Sequence, residues 1–331
     1  MNNEGMQEVM DVLRKRDNFL ITAHVNPEGD SIGSQLAMFF LLKKLGKKAV
    51  MVNHDMVPEN LQFLPGSDSV TMRLPDDFLP ATAVVLDCPV MERAGAVMAH
   101  LNEIDEIVNV DHHVSNEFFG DVNWVDPQAS SVGEMMYRLI RKMGVEVDKD
   151  MAFAVYAAMV TDTGMFSYDN TTGETHIIAA DLMRIGVSPK MMHKEIFEKR
   201  SSFQVKLLGR VLSTMELEEK GKLAHMCLTR QMLEEEGVKS VSTDEFINYP
   251  RSVKGVKVAV FFKESVENPG AINISFRSTG DDINVDEIAG KFGGGGHHKA
   301  AGCLIKSSLE EARANVLGEA RRVLAEKAGG R

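Results

Sequence analysis

Four short apolar runs rich in β-branched residues alternate with amphipathic stretches in the N-terminal third of the chain. The runs end in the segments FLITAH, AVMVN, ATAVVLD and IVNVD, and stretches such as SIGSQLAMFFLLKKLG lie between some of them. Runs of this kind predict buried strands, and the stretches between them predict helices. Because strands that alternate with helices are typical of a parallel sheet, we predict an α/β fold for this part of the chain.

The remainder of the chain has a different pattern. From Ser130 to about Gly186, three segments carry apolar residues at spacings of three and four, which predicts helices. Beyond a helical connector, the runs GKLAHMCLT, VKVAVFFKE and AINISFRS predict strands and two further stretches predict helices, so we expect a smaller α+β domain. The predicted boundaries are 1–187 for the first domain, 188–215 for the connector and 216–331 for the second domain.

The net charge and the cysteines argue against several classes of protein. A formal net charge of −11 disfavours a general grip on long nucleic acid, which requires many Lys and Arg side chains. We expect neither a secretory signal nor a membrane span, and therefore predict a cytoplasmic protein without a membrane partner. Cys88, Cys227 and Cys303 lie far apart, which argues against a disulfide framework and a thiolate zinc site.

Three of the predicted strands end on side chains that can bind a metal ion. FLITAH ends on His24, ATAVVLD ends on Asp87, and IVNVD ends on Asp111, with His112 and His113 directly after it. In parallel α/β sheets, ligands bind outside the carboxyl ends of the strands. We therefore expect these side chains to converge on one site although they are distant in the sequence.

Three more carboxylates complete the predicted site. Glu28 and Asp30 follow the first strand in a turn that leads into a helix, and Asp162 ends a long apolar segment where an unpaired carboxylate would be costly to desolvate. The predicted ligands are thus two imidazoles and four carboxylates, from His24, Glu28, Asp30, Asp87, His112 and Asp162. This set would balance two divalent cations, with Mn²⁺ favoured and Mg²⁺, Co²⁺ and Fe²⁺ as alternatives.

Two such cations about 3.5–4 Å apart would suit the hydrolysis of a phosphate ester. Asp87 is the simplest bridge between them. We place Asp111 behind the ligands, where it orients an imidazole, and His113 beside the substrate phosphate as a hydrogen-bond donor or acid. Two alternatives stay open for single residues, since Asp30 could cap a helix and His24 could be a satisfied residue at the end of a strand.

Five motifs occur in a characteristic order, namely AHVNPEGDSIGS, VVLDCP, NVDHHVSN, VTDTGMFSY and, near the end, GGGGHHKAAG. On these motifs the chain resembles the DHH-family phosphoesterases with a C-terminal DHH-associated domain, and most of all their branch of bifunctional oligoribonucleases (nanoRNases) and pAp phosphatases. The resemblance implies that His24, Glu28 and Asp87 hold one metal ion and that His113 contacts the scissile phosphate. It assigns the second ion to Asp30, Asp87, His112 and Asp162.

One position departs from the family pattern. The family usually has Pro-Asp-Gly-Asp where this chain has Pro27-Glu28-Gly29-Asp30, so one ligand carboxylate sits on a longer side chain. Because the charge and the oxygen donor are kept, we expect an active site with altered geometry, affinity or preferred ion at the first metal position.

The segment KFGGGGHHKAAG in the second domain is the other strong signal. Consecutive glycines allow the backbone to approach a ligand and to aim its N–H groups at anionic oxygens. The resemblance implies that this segment and the nearby NISFRS bind the end of the substrate that is not cut. The predicted residues are Arg277, Ser278, Gly294, Gly295, Gly296, His297, His298 and Lys299, and Arg200 and Lys291 could assist.

These observations predict a Mn²⁺-dependent phosphoesterase whose active site lies in the cleft between the two domains. The resemblance implies short oligoribonucleotides, linear dinucleotides and pAp as substrates and a homodimer as an option, and the net charge argues against the binding of long duplexes. The alternatives are a single-strand exonuclease, an exopolyphosphatase or inorganic pyrophosphatase of the same superfamily, and a nucleotide-binding sensor without activity.

Overall fold

The computed structural model of the protein describes residues 3–199, 201–236, 243, 245–266, 268–280 and 282–329. Its contacts divide the chain into two compact units, Met1–Lys199 and Arg200–Arg331. The division lies within the predicted connector 188–215. None of the described helices combines the length and the apolar character that a bilayer span requires.

The first unit is built on a six-stranded sheet in the order β3-β2-β1-β4-β5-β6. All of its strand pairs are parallel. The strands are β1 Phe19–Ala23, β2 Ala49–Val52, β3 Val70–Thr71, β4 Thr82–Leu86, β5 Ile107–Asp111 and β6 Val122–Val125. The four predicted strands are all present. The pattern missed β6 and also β3, which has only two residues.

Seven α-helices belong to the described part of this unit. They are α1 Asn3–Lys15, α2 Gly29–Lys44, α3 Met98–Leu101, α4 Val132–Lys142, α5 Lys149–Asp162, α6 Gly173–Ile185 and α7 Pro189–Phe197. Short 3-10 segments occur at Glu59–Leu61, Ser67–Ser69 and Met91–Val97. Neighbouring residues of one strand, such as Phe19 and Leu20, belong to two different apolar clusters. The sheet is therefore buried on both faces, which explains the continuous apolar runs in its strands.

The strand order reverses at the centre of the sheet. β1 pairs with β2 on one side and with β4 on the other. After β1 the chain runs through β2 and β3 to one edge of the sheet, and it then returns to form β4 on the opposite side of β1. In open α/β sheets such a switch point, at the carboxyl ends of the strands, is where ligands bind. His24 and Asp87 directly follow these two central strands.

Glycines bring three helices close together beside this point. A Cβ atom on Gly33 of α2 would lie 2.3 Å from the carbonyl oxygen of Ala154 in α5. A Cβ atom on Gly133 of α4 would lie 2.4 Å from Cβ of Ala158, also in α5. The backbones of α2 and α4 thus pack directly on α5, at distances that a larger residue would prevent.

The second unit contains another six-stranded sheet, in the order β11-β12-β10-β9-β8-β7. Its strands are β7 Glu216–Glu218, β8 Leu223–Leu228, β9 Val258–Glu264, β10 Ala271–Ser278, β11 Gly295–His297 and β12 Ala300–Lys306. Its described helices are α8 Ser202–Leu212, α9 Arg230–Glu235, α10 Asn248–Arg251, α11 Val285–Gly290 and α12 Leu309–Gly329, with a 3-10 turn at Glu219–Gly221. Among the described strands of this sheet, β8 and β9 pair in parallel and the other pairs are antiparallel. The predicted α/β domain followed by a smaller α+β domain is confirmed.

Candidate metal centre

The predicted metal ligands lie close together at the carboxyl edge of the first sheet. Three groups of potential ligand atoms are each contained within 4.8 Å. The groups are His24, Glu28 and Asp87; Asp30, His112 and Asp162; and Asp87, His112 and His113. Since Asp87 and His112 each occur in two groups, all six predicted ligands and His113 form one continuous cluster.

The carboxylate of Asp87 faces both sides of this cluster. Its Oδ2 atom accepts a hydrogen bond of 2.7 Å from Ser31 and lies 3.4 Å from Nε2 of His24. Its Oδ1 atom lies 3.8 Å from Nε2 of His112 and 3.6 Å from Nδ1 of His113. The backbone of Asp87 is left-handed, with φ of 54°, which turns the chain sharply at the end of β4. Such conformations are uncommon outside glycine and concentrate at functional sites.

Backbone carbonyls fix the orientation of both predicted ligand imidazoles. Nδ1 of His24 lies 2.6 Å from the carbonyl oxygen of Val25, and Nδ1 of His112 lies 3.3 Å from that of Ala129. Because a carbonyl oxygen only accepts, Nδ1 carries the proton in each ring. Nε2 of each ring then faces the carboxylates, which is the arrangement of histidines that ligate metal ions.

Asp30 connects two helices. Its carboxylate accepts hydrogen bonds from the backbone N–H groups of Val132 and Gly133, at 2.7 and 2.8 Å, at the start of α4. The alternative that Asp30 caps a helix is therefore correct in part, but the helix is α4 rather than its own. The N-cap residue of its own helix is Glu28, whose side chain makes no capping hydrogen bond.

The electrostatics of the cluster show an excess of negative charge. Burial, and then the charge of Asp87, raises the pKa of Asp30 to about 7. Burial likewise raises the pKa of Asp162 well above its usual value. The pKa of His112 is raised to about 9, because the attraction of Asp162, Asp30 and Asp87 exceeds the opposing effect of burial. A carboxylate cluster that binds protons so tightly is suited to a multivalent cation, which would supply the missing positive charge.

Asp111 and His113 form a hydrogen-bonded pair at one side of the cluster. Oδ1 of Asp111 lies 2.7 Å from Nδ1 of His113, and Oδ2 accepts a hydrogen bond of 2.6 Å from Asn116. Burial alone would raise the pKa of Asp111, but the contact with His113 lowers it below its usual value. Asp111 is thus an ionised carboxylate that fixes the tautomer of His113 with the proton on Nδ1.

Some residues of the cluster were not predicted. Ser31 lies between Nε2 of His24 and the carboxylate of Asp87. Asn170 donates to Oδ2 of Asp162 at 3.2 Å and to the carbonyl oxygen of Ser130 at 2.8 Å. Ser31 lies inside a recognised motif, so its polar character could have signalled a role. Asn170 follows Asp162 by eight residues in a turn, and only the structure shows its contact.

Two of the three predicted glycines of the second unit, Gly294 and Gly296, make close contacts within the unit. The N–H of Gly294 donates to the carbonyl oxygen of Ala289, and that of Gly296 donates at 2.7 Å to the carboxylate of Asp286. Cβ atoms at these two glycines would lie 2.1 Å from the carbonyl oxygen of Gly302 and 2.5 Å from that of Ala300. The glycines therefore allow β11 to pack tightly on β12, and two of their N–H groups are occupied within the unit.

The charged side chains of this region are better placed for a ligand. Arg277 on β10 and His297 on β11 both pair with Ala300 on the strand between them. Directly paired residues share a face of the sheet, so these two side chains flank a small residue on one face. His298 is exposed and Lys299 is partly exposed.

The other residues predicted to bind the substrate in this region are Ser278 and the assisting residues Lys291 and Arg200. Ser278 is only 2% exposed, and its hydroxyl lies 3.5 Å from the carbonyl oxygen of His298, so it supports this loop. Lys291 is exposed. Arg200 lies outside the described residues.

A fourth group of potential ligands, Glu216, Glu218 and His225, occurs in the second unit. Arg313 donates to Glu216 at 2.8 Å, and Arg321 donates to Glu218 at 2.8 Å. These carboxylates are therefore neutralised by α12, and the group connects that helix to the sheet.

Comparison with known proteins identifies the family. The model of the DHH family, N-terminal domain, matches residues 18–159, and the model of the DHHA1 domain matches residues 221–326. The bifunctional oligoribonuclease and PAP phosphatase NrnA of Thermus thermophilus is 35% identical over 97% of this chain and 95% of its own length. This chain belongs to the DHH family.

Two further similar proteins also cover most of the chain. The Bacillus subtilis bifunctional oligoribonuclease and PAP phosphatase NrnA is 28% identical over 91% of this chain and 93% of its own length. The crystal structure of an exopolyphosphatase-related protein from Bacteroides fragilis has a TM-score of 0.87 and 26% identity, and covers 98% of this chain and 97% of its own. The predicted family, with its two domains and its oligoribonuclease and phosphatase branch, is confirmed.

Proposed function

We propose that this chain is a metal-dependent phosphoesterase that hydrolyses short oligoribonucleotides, linear dinucleotides and pAp to mononucleotides. The enzyme class, a hydrolase that acts on phosphate esters, is that of its DHH relatives. The observation that carries the proposal is the placement of Asp87, whose two carboxylate oxygens face two groups of ligand atoms.

The residues present fit two divalent cations. His24 and Glu28 would hold one ion, Asp30, His112 and Asp162 would hold the other, and Asp87 would contact both. Imidazole and carboxylate ligands together favour Mn²⁺, with Mg²⁺, Co²⁺ and Fe²⁺ as alternatives. A bound pair of such ions supplies Lewis acidity that neutralises the charge developing on a phosphoryl group.

His113 is the proposed catalytic side chain of the protein itself. Asp111 holds the proton of His113 on Nδ1, at 2.7 Å, so that Nε2 is directed away from this pair. When the ring is doubly protonated, Nε2 carries a second proton, which it would donate to an oxygen of the phosphate or of the leaving group. Asp111 acts through His113 and is a positioning residue.

The second unit is proposed to bind the end of the substrate that is not cut. Arg277 and His297 lie on one face of its sheet, and a guanidinium with an imidazole beside it suits a terminal phosphate. Lys299 and His298 follow in the same hairpin and would add positive or neutral donors. The exclusion of long duplexes, the cytoplasmic location and a homodimer remain predictions.

The test is the release of mononucleotide from a 5′-phosphorylated diribonucleotide, compared with a long single strand and with inorganic polyphosphate. We expect Mn²⁺-dependent release that is fastest with the diribonucleotide, and then release of phosphate from pAp. Asp87→Asn should abolish it, whereas Asp76→Asn, which changes an exposed carboxylate paired with Arg73, should not. Faster cleavage of the long strand would instead indicate an exonuclease.

An exopolyphosphatase is the second candidate, because the Bacteroides fragilis protein whose structure covers nearly the whole chain is described as exopolyphosphatase-related. Release of phosphate from polyphosphate at a higher rate than turnover of the diribonucleotide would favour it. If none of these substrates is turned over, the remaining hypothesis is a nucleotide-binding sensor without activity.

A further inference from the structure

Arg93 lies beside the candidate metal centre but belongs to none of the predicted motifs. It is part of the 3-10 segment Met91–Val97, which follows Asp87 after a short turn. Its carbonyl oxygen accepts a hydrogen bond of 2.7 Å from the backbone N–H of Val25, directly after His24. The position of Arg93 is therefore fixed relative to His24 by the backbone.

Gly95 holds this segment in place. Its backbone is left-handed, with φ of 61°, and a Cβ atom would lie 2.6 Å from the side chain of Val25 and 2.8 Å from that of His54. The N–H of Ala96 also donates to Nδ1 of His54 at 3.0 Å. The segment is thus packed against the turn after β1, and these contacts also fix the backbone position of Arg93.

The guanidinium of Arg93 has a poor partner in the described part of the chain. Its Nη2 atom lies 3.2 Å from Nδ1 of His24, and that nitrogen already donates its proton to Val25. Two donors face each other at this contact, so it is not a stabilising hydrogen bond. No carboxylate or carbonyl oxygen among the described residues accepts a hydrogen bond from this guanidinium.

We propose that Arg93 binds an oxygen of the scissile phosphoryl group and is a further catalytic residue of the enzyme. The inference rests on the proposed function, because it requires a phosphate ester beside His24. A partly buried guanidinium next to a carboxylate-rich cluster, without an acceptor of its own, is suited to an incoming anion. A phosphoryl group would supply that acceptor, and the planar fork would orient its oxygens.

The contrast with Arg138 supports this reading. Arg138 also lies in the first unit, but it donates to Asp126 at 2.9 Å and lies 3.8 Å from Glu134. Its charge is thus neutralised by the protein, as is usual for a buried guanidinium. Arg93 has no such pair in the described residues, although it is adjacent to the metal-binding cluster.

The experiment compares Arg93→Gln and Arg93→Lys with Arg73→Gln, which changes an exposed arginine paired with Asp76. Binding of inorganic phosphate to the Mn²⁺-loaded protein is followed by ³¹P line broadening, and Mn²⁺ affinity is measured separately by calorimetry. We expect Arg93→Gln to weaken phosphate binding by about tenfold or more and Arg73→Gln to leave it unchanged. Arg93→Lys should recover part of the binding, since it keeps the charge but not the fork.

The turnover measurements should agree with the binding measurements. Arg93→Gln should lower kcat/KM for the diribonucleotide by about 100-fold with Mn²⁺ affinity preserved. Unchanged phosphate binding in Arg93→Gln, or a loss explained by weaker Mn²⁺ binding alone, would overturn the assignment. If the natural protein fails to cleave any nucleotide but binds phosphate through Arg93, the proposed function fails while the phosphate contact stands.

Discussion

Asp111 and His113 form a hydrogen bond of 2.7 Å in which a buried carboxylate faces Nδ1 of an imidazole on the same short segment. Asn116 holds the other oxygen of Asp111 at 2.6 Å. The motif NVDHHVSN therefore contains the imidazole that we propose as catalytic, the carboxylate that orients it and the amide that orients the carboxylate. This explains why an apolar strand ends in an acid followed by two histidines.

Replacing Asp111 with Asn should impair catalysis more than metal binding. The amide would no longer hold a proton on Nδ1 of His113, so the ring could adopt the other tautomer. We expect kcat to fall by about 100-fold or more, with the Mn²⁺ affinity within about threefold of that of the natural protein. Steady-state kinetics and calorimetry provide the two measurements. A kcat close to the natural value would contradict the proposed role of the pair.

The stability of the metal-free protein should fall as the pH rises from about 4 to about 7. The pKa of Asp30 is raised to about 7 in the folded protein, so the folded state binds a proton more tightly than the unfolded state in this window. The pKa of His112 is raised to about 9. Deprotonation of this imidazole should therefore lower the stability further as the pH rises from the ordinary pKa of histidine to about 9. We therefore expect the increase in Tm on adding Mn²⁺ to grow with pH.

The variant Asp30→Asn separates this effect from other titrations. Without the carboxylate, the loss of stability between pH 4 and 7 should become smaller in the presence of EDTA. Asp76→Asn serves as the control, because that carboxylate is exposed. Equal slopes of Tm against pH in Asp30→Asn and the natural protein would argue against Asp30 as the titrating group.

Gly33→Ala should destabilise the first unit. The added methyl group would lie 2.3 Å from the carbonyl oxygen of Ala154 and would push α2 away from α5. We expect a loss of about 1–3 kcal/mol in the free energy of unfolding, measured with urea. Gly209→Ala is the matched control, since Gly209 is also helical but has open space around it, and this change should be neutral or stabilising. Equal effects of the two changes would disprove the tight contact.

Arg277→Ala should weaken substrate binding more than the chemical step. The guanidinium is proposed to hold a terminal phosphate remote from the bond that is cut, so KM should rise by about tenfold or more. A smaller fall in kcat is expected if that contact positions the scissile phosphate. Arg322→Ala, which changes an arginine of α12 paired with Glu319, is the control for unspecific charge effects. A normal KM with the diribonucleotide would remove Arg277 from the proposed site.

The sequence was informative wherever a pattern repeats or a buried strand ends in a polar residue. The strands β1 and β4 were predicted because five apolar or β-branched residues precede the polar end of each, and β5 because three of the four residues before Asp111 are apolar. The parallel order of these strands made convergence of His24 and Asp87 a physical expectation. β3 could not be found because two residues carry no period. The contact of Asn170 with Asp162 depends on the path of the turn between them, which no local pattern encodes.

In the glycine-rich segment, the composition alone was not sufficient to predict which contacts the backbone makes. Its composition suggested a backbone cradle for an anion, but Gly296 donates to Asp286, and both Gly294 and Gly296 pack closely on β12. Composition shows that a backbone approaches something closely. It does not show whether that partner is a ligand or a neighbouring strand.

The left-handed backbone of Asp87 has a consequence for how this site can diverge. Glu28 has an extended backbone, with φ of −116°, and an exposed side chain, so a longer carboxylate can replace a shorter one there without backbone strain. Asp87, with φ of 54°, lies where only glycine, asparagine and aspartate are readily accommodated, and only aspartate of these carries a charge. The two predicted ligand positions therefore differ in which substitutions their backbones allow. Substitutions can change the side-chain length at position 28, whereas at position 87 the left-handed backbone restricts the charged choices to aspartate.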